Sequence, residues 1–430
     1  MHSFQFGILL ERGGRAVARK REKYWRRLVR RFIYDASSTA TLGNFGRILL
    51  AYLRRRSGRT KALPLVSYSA ASEPIGPVAE ATEYTVSSPR RIEQGSVAIQ
   101  GAFPAIEARA FSDATAAAYS AAIITQGSVA IPDYYCAHPN ATVDDGRFLH
   151  WHSCDRIAIC TSGDPRTAVS NGIMLFGRGT NNWYHWLIET LPCAFMANRL
   201  QELSDVPFVV PAKIMETPTF RQSLAIFLRG RKVLTIGSDP VRFDKLVVIG
   251  SPVNEPINLR KGCWPTEEDY GYNPEVLQSY RAALLQSLGI EDVDGDDRIF
   301  LARATTWRSY NQDELINIAQ SHGFRVVYPE RLSFREQAKL MLRARAIVGP
   351  SGAAFANMIF CRPGTQIMSW VPTQYGGFCS YANLAAVTGA KLSYLFVRYT
   401  DATDTTADGA RAAYQVNPAA FQELILAAHA

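Results

Sequence analysis

Short apolar runs and helix-spaced apolar stripes take turns along most of this chain, and their alternation predicts its elements. In the first half, apolar runs at 172–176, 207–210, 232–236 and 245–249 read as strands, and stripes at 182–203 and 217–229 read as helices. The pattern then sharpens into helix 273–288, strand 298–302, helix 312–322, strand 324–328, helix 334–344, strand 346–348, short helix 353–360 and strand 366–371. Strands alternating with helices of about 10–15 residues predict a parallel, doubly wound sheet. Ser333 with Glu336 makes a capping box at one helix start, and Asn311 with Glu314 makes an incomplete one at another.

Upstream, residues 95–161 carry shorter β-like stretches, such as 128–131 and 156–160, between turn residues. Residues 63–92, rich in Pro, Ser, Ala and Glu without periodicity, read as a linker or extended wrap. Pro and Gly return between 250 and 272, which reads as an inter-domain crossing. A chain of 430 residues exceeds one ordinary core. The expected organisation is therefore a basic arm (1–62), a linker (63–92), an α/β domain (93–250) and a second, Rossmann-like domain (251–430). At 47% hydrophobic and 20% charged residues, the chain has the balance of a folded protein rather than a disordered one. Its seven cysteines, at 136, 154, 160, 193, 263, 361 and 379, show no C-x-x-C spacing and read as reduced thiols of a cytosolic protein.

Charge changes the picture at one end only. Residues 1–62 hold 16 Lys/Arg against 3 Asp/Glu, while the remainder holds 31 against 35. The apolar stretch 4–10 precedes the charges, the reverse of a signal peptide, and no apolar run is long enough to span a bilayer. Arg-rich 15–33 carries Tyr24, Trp25, Leu28, Val29 and Phe32, and 45–56 places Phe45, Ile48, Leu49, Tyr52 and Leu53 at helical spacing. Basic amphipathic helices of this kind lie in anionic headgroups. A solvated arm, a partner helix or a nucleic-acid contact would use the same charge, but apolar stripes suit lipid better than phosphate.

Candidate chemistry lies at strand-to-helix turns, where a doubly wound sheet binds its ligands. The turn Gly349-Pro350-Ser351-Gly352-Ala353 lets a backbone approach a phosphate, and it would equally serve as a tight packing turn. Arg303 and Arg308 follow another strand within reach of a diphosphate, and Glu330 stands where an acid accepts from ribose hydroxyls; each also reads as a plain surface charge. Asn182-Trp183-Tyr184-His185 opens a helix with Glu189 one turn beyond His185, a pair suited to taking a proton or to packing beside the tryptophans. Asp292-Val293-Asp294-Gly295-Asp296 has cation-binding spacing but lies at the wrong end of its strand. No zinc motif and no G-x-S-x-G elbow occurs.

Residues 182–192, Arg303, 329–337 and Gly349 to Asn357 together resemble glycosyltransferase family 61, a group of bacterial capsule loci. They match its N-(aromatic)-x-H-W-L-x-E-x-L-P segment, isolated strand arginine, P-E-x-L-S-F-x-E-Q segment and G-P-x-G-A-x-x-x-N segment, in order. The resemblance covers residues 95–400. It implies a GT-B-like α/β fold, with two Rossmann-like domains facing a central cleft. It also implies inverting, metal-independent transfer from a nucleotide sugar, UDP favoured, to a glycan or lipid-linked acceptor, with no other cofactor. The donor would meet Arg303, Arg308, Glu330, Ser351, Gly352, Ala353 and Asn357; the acceptor would meet Asn182, Trp183 and Tyr184; His185 and Glu189 would be catalytic. Ser351 stands where many members have His, and Cys193 where many have Arg, so a catalytically inert nucleotide-sugar-binding or scaffold subunit is the alternative. The setting implied is cytoplasmic, at the inner face of a bacterial plasma membrane through residues 1–62, without nucleic acid.

Overall fold

A long strand, β1 (Ile106–Ala116), precedes four that form on the predicted apolar runs: β2 (Thr167–Met174), β3 (Phe208–Pro211), β4 (Val233–Ile236) and β5 (Val241–Ile249). The computed structural model describes residues 60–87, 90–91, 98–153, 157–161, 165–256, 259–260, 263–290, 295–304, 309–373, 377–397 and 414–427. The amphipathic stretches of the basic arm, Arg308, and Asp292 with Asp294 lie outside those residues. β4, β3, β2 and β5 are neighbours in that order and mutually parallel. Counted along the chain this is 3-2-1-4, a Rossmann order. β3 is buried at every position, as a central parallel strand covered on both faces must be.

β1 pairs antiparallel with β5 and extends the sheet to strands from residues 60–67, 123–131 and 149–161. The segment expected as a linker or wrap supplies strands here. Thr60–Ser67 lies parallel to Ser128–Ile131, Glu73–Ala79 pairs with β1, and Thr82–Ser87 pairs with Ala98–Phe103. Pro74 and Pro77 are tolerated because the ladder shifts register beside each of them.

Besides shorter helical segments such as Asp133–Ala137 and Ala212–Glu216, this half holds α1 (Leu191–Ala197) and α2 (Pro218–Ala225); α3 (Pro274–Ser287) opens the second half, with the Asn273 side chain accepting from the Val276 amide at 3.0 Å. There β6 (Asp297–Leu301), β7 (Arg325–Val327), β8 (Ala344–Pro350), β9 (Gln366–Pro372) and β10 (Lys391–Val397) alternate with α4 (Gln312–Ser321), α5 (Phe334–Arg343) and α6 (Ser380–Thr388), before a final α7 (Pro418–Ala427). The sheet runs β7-β6-β8-β9-β10 and ends on the short strand Arg90–Arg91, parallel throughout. The chain order of β6 to β10, 2-1-3-4-5, is the other common doubly wound arrangement.

Alternation along the strands sends neighbouring residues to opposite faces. Ile299, Leu301 and Ile347 join a core with α3 and α5, whereas Phe300, Ala346 and Val348 join one with α4 and α7. The first of these cores also holds Ile173 from β2, Leu175 just past its end, and Val247 and Ile249 from β5. That shared core explains why Leu63–Ala430 forms one compact unit with two large sheets. The Ser333–Glu336 capping box is complete. Asn311 instead uses its amide on Glu314 and on the Val416 carbonyl, fastening the C-terminal segment to the sheet.

Candidate active site

In the second sheet the strand order reverses between β6 and β8, so a crevice opens beyond their carboxyl ends. The chain leaves β6 at Arg303 and β8 at Ser351. A Cβ on Gly352 would stand 2.9 Å from Nη2 of Arg303, so the glycine makes room for the guanidinium. Nη2 donates to the Ser351 carbonyl at 2.5 Å, and the Arg303 amide donates to Oε1 of Gln312 at 2.8 Å. Nη1 is buried with no hydrogen-bond partner. A buried guanidinium N–H needs an acceptor, and an anion entering this turn would supply one.

The first sheet reverses between β2 and β5. From β2 the chain turns through Gly177 and Thr180, which exchange hydrogen bonds of 2.7 and 2.8 Å. It then enters a π-helical turn, His185–Thr190, that runs into α1. Oδ1 of Asn182 holds the Tyr184 amide at 2.9 Å at its start. Gly179 has φ +88°, and a Cβ there would lie 2.8 Å from Cδ2 of His185, so only glycine fits under the imidazole. Nδ1 of His185 meets Oε1 of Glu189 at 2.5 Å. A carboxylate on Nδ1 fixes the tautomer with the proton there and the lone pair on Nε2.

Beyond β5 stands Glu255, a buried acid in the Pro- and Gly-containing crossing. Its Oε1 accepts from the Tyr184 hydroxyl at 2.5 Å, and its carbonyl accepts from the Tyr135 hydroxyl at 2.5 Å. One ligand atom each of His185, Glu189 and Glu255 fall within 4.8 Å of one another. Burial, with the charge of Glu189 added, pushes the Glu255 carboxyl up to about 8. Burial alone would lower the His185 imidazole, but Glu189 and then Glu255 more than offset it and leave it above the ordinary histidine value. Nδ1 of His185 is committed to Glu189 and Oε1 of Glu255 to Tyr184, which leaves Nε2 and the remaining carboxylate oxygens of the trio for a proton or another partner. No motif marks Glu255 in the sequence. Its one signal is position, an acid shortly after a strand's carboxyl end, the same rule that singled out Glu330.

A cavity of about 210 Å³ joins the two strand-end regions. Asn182, Tyr184, His185 and Glu255 line one side, Ser351, Gly352 and Ala353 the other, and Trp370, Tyr381 and Tyr414 form an aromatic wall. Glu189 does not line the cavity; it bonds to His185. Glu330 holds the Ala304 amide at 2.8 Å and so braces the Arg303 loop. Asn357 and Trp183, expected at the donor and acceptor, are bonded to each other instead, with Asn357 almost fully buried. Cys193 faces main-chain carbonyls of Glu189 and Gly250, and burial raises its thiol to about 12.

Two doubly wound strand orders meet at one cavity of this α/β protein, with a basic small-residue turn opposite a histidine–carboxylate pair. Residues 183–368 match the family model of glycosyltransferase 61. The family implies glycosyl transfer, with a nucleotide-sugar donor and an acceptor. No curated protein matches the chain.

Proposed function

We propose that the protein is an inverting, metal-independent glycosyltransferase of the GT-B type. Its donor is a nucleotide sugar, UDP-linked by preference, and its acceptor a glycan or lipid-linked saccharide of a bacterial surface polysaccharide. The observation that carries this reading is the buried, unpartnered Nη1 of Arg303 beside the turn that lines the His185 cavity. The donor diphosphate would lie on Ser351, Gly352 and Ala353 with Arg303 taking up the charge that develops as it leaves, the task a metal performs elsewhere. Across the cavity Nε2 of His185 would deprotonate the acceptor hydroxyl, with Glu189 holding the ring. The 3-2-1-4 and 2-1-3-4-5 strand orders support two Rossmann-like halves, 93–250 and 251–430, facing a cleft.

The excess charge of residues 1–62 supports a cytoplasmic enzyme peripheral to the inner face of the plasma membrane. The test is transfer and hydrolysis over a panel of sugar nucleotides, with product anomeric configuration read by NMR and EDTA added in parallel. Inverted product formed in EDTA is expected. Retained configuration, or loss of turnover restored by a divalent cation, overturns the mechanism. Ser351, in place of the histidine of many relatives, favours one other reading, an inert binding subunit, which donor binding without any turnover would establish.

A further inference from the structure

We propose that Glu255 is a positioning residue for proton transfer, a second carboxyl beside the imidazole that lets His185, Glu189 and Glu255 hold the acceptor's proton as one set. The inference rests on the glycosyltransferase reading given above and adds a residue to it. Three independent facts of placement support it. Glu255 follows β5 and His185 follows β2, the two strands flanking the reversal of the first sheet, so both reach the same crevice. Both line the cavity, whereas Glu189 does not. Glu255 is also held at two points, by the Tyr184 hydroxyl on its carboxyl and the Tyr135 hydroxyl on its carbonyl. Such double fixation suits a group whose distance from the imidazole matters.

The chemistry follows from charge. Two carboxyls this close in a buried site cannot both ionise cheaply, so one keeps a proton unless a cation forms between them. In the transfer step the acceptor oxygen bonds to the anomeric carbon as the bond from that carbon to the phosphate oxygen breaks. The electron pair leaves on the diphosphate. The acceptor's proton passes to Nε2 of His185, and the new imidazolium makes ionisation of Glu255 favourable, so a proton is released to solvent as one is taken up. The set carries one shared proton before the step, two at its midpoint and one after release. Among the described residues, the titratable and charged groups around it are these: Arg178 acts on His185, Glu189 acts on both His185 and Glu255, Tyr184 acts on Glu255, and Tyr134, Tyr270 and Cys379 stand near Glu255.

The experiment compares wild type, Glu255→Gln and Tyr184→Phe in the full-length protein. It uses two readouts: the pH profile of kcat/KM, and the NMR titration of the His185 imidazole assigned through His185→Gln. Glu255→Gln removes a carboxyl whose ionisation, coupled to the imidazolium, raises His185, so the imidazole should titrate at lower pH, and the acidic limb of kcat/KM should move down with it. Turnover at neutral pH should fall roughly tenfold or more, with donor KM within about twofold. Tyr184→Phe removes a donor that favours ionised Glu255, and should shift both curves the same way by less. Profiles merely scaled down, with His185 titrating alike in all three proteins, overturn the proposal. So does an imidazole titration in wild type that moves on adding EDTA, which would mark a bound cation. The titration needs no turnover, so a wild type that transfers no sugar sinks the glycosyltransferase reading while leaving the role of Glu255 decided on its own.

Discussion

The indole N–H of Trp183 donates to Oδ1 of Asn357 at 3.0 Å, joining residues 174 apart in sequence. Nδ2 of Asn357 donates in turn to Gln337, whose own amide holds the Pro329 and Leu332 carbonyls. Between those carbonyls lies Glu330, which braces the Ala304 amide beside Arg303. A polar chain, buried at Asn357 and Gln337 and exposed at Glu330, thus runs from the His185 segment to the Arg303 loop. Asn357→Ala would strand both the Trp183 donor and the Gln337 acceptor, at about 1–3 kcal/mol each. Denaturant unfolding should show a loss of at least about 2 kcal/mol. Trp183→Phe, which orphans only Oδ1, should lose about half as much. Losses under about 0.5 kcal/mol in both would mean the chain contributes little.

How much of this the sequence discloses depends on range. In the second half each predicted strand falls within a few residues of the observed one, because buried parallel strands contrast sharply with the amphipathic helices between them. The strands of residues 60–87 escape a local reading, since their partners lie up to 60 or so residues away and their prolines argue against strand unless the partner's register is known. The same division holds at the site. His185, Glu189, Ser351 and Gly352 announce themselves by local spacing. Asn357 sits in a motif beside them, yet its amide is spent on Trp183 and Gln337. Glu255 has no motif at all, and only the adjacency of β2 and β5 brings it to the imidazole.

Gly179 tests how closely the imidazole must be held. Alanine would have to adopt φ +88° and place its Cβ 2.8 Å from the ring. The backbone alone costs about 1–2 kcal/mol, and the ring has to move. Gly179→Ala should therefore lower kcat at least tenfold while donor affinity stays within about twofold. Unchanged kcat would show that the ring position is not critical.

Arg303 separates binding from stability. Its Nη1 already lies buried without a partner, so truncation removes an unsatisfied group along with one hydrogen bond to Ser351. Arg303→Ala should leave the unfolding free energy within about 1 kcal/mol of wild type. Donor affinity should fall roughly 10- to 100-fold, the value of charge-assisted bonds to a diphosphate. Calorimetry with the nucleoside diphosphate alone reads this directly, and unaltered affinity would place the arginine outside the donor site.

The basic arm makes a prediction independent of the site. Removing residues 1–62 takes away a net charge of +13 by the residue counts. At about 1 kcal/mol per basic residue near an anionic surface, even a few engaged arginines suffice for binding. The shortened chain should no longer sediment with phosphatidylserine vesicles, yet should keep its turnover on a soluble acceptor. Undiminished vesicle binding would exclude the arm as the attachment.

Glu255 also ties stability to pH, with a definite sign. Its carboxyl ionises near 4.5 when unfolded and at about 8 when folded, so between these values the folded state holds a proton the unfolded chain has lost. That contribution is fully present below about 4.5 and drains away as pH rises through about 8. His185, raised above its ordinary value of 6.5, acts in the same direction at higher pH. His152, which burial lowers against the opposing pull of Asp144, works the other way, and chiefly below 6.5. From pH 6.5 to 8 the wild type should therefore lose stability in thermal unfolding. Glu255→Gln cannot titrate at this position, so its Tm should fall less over that interval and come closest to, or pass, the wild-type value at pH 8. Parallel curves for the two proteins would show that the buried carboxyl does not change its protonation on folding.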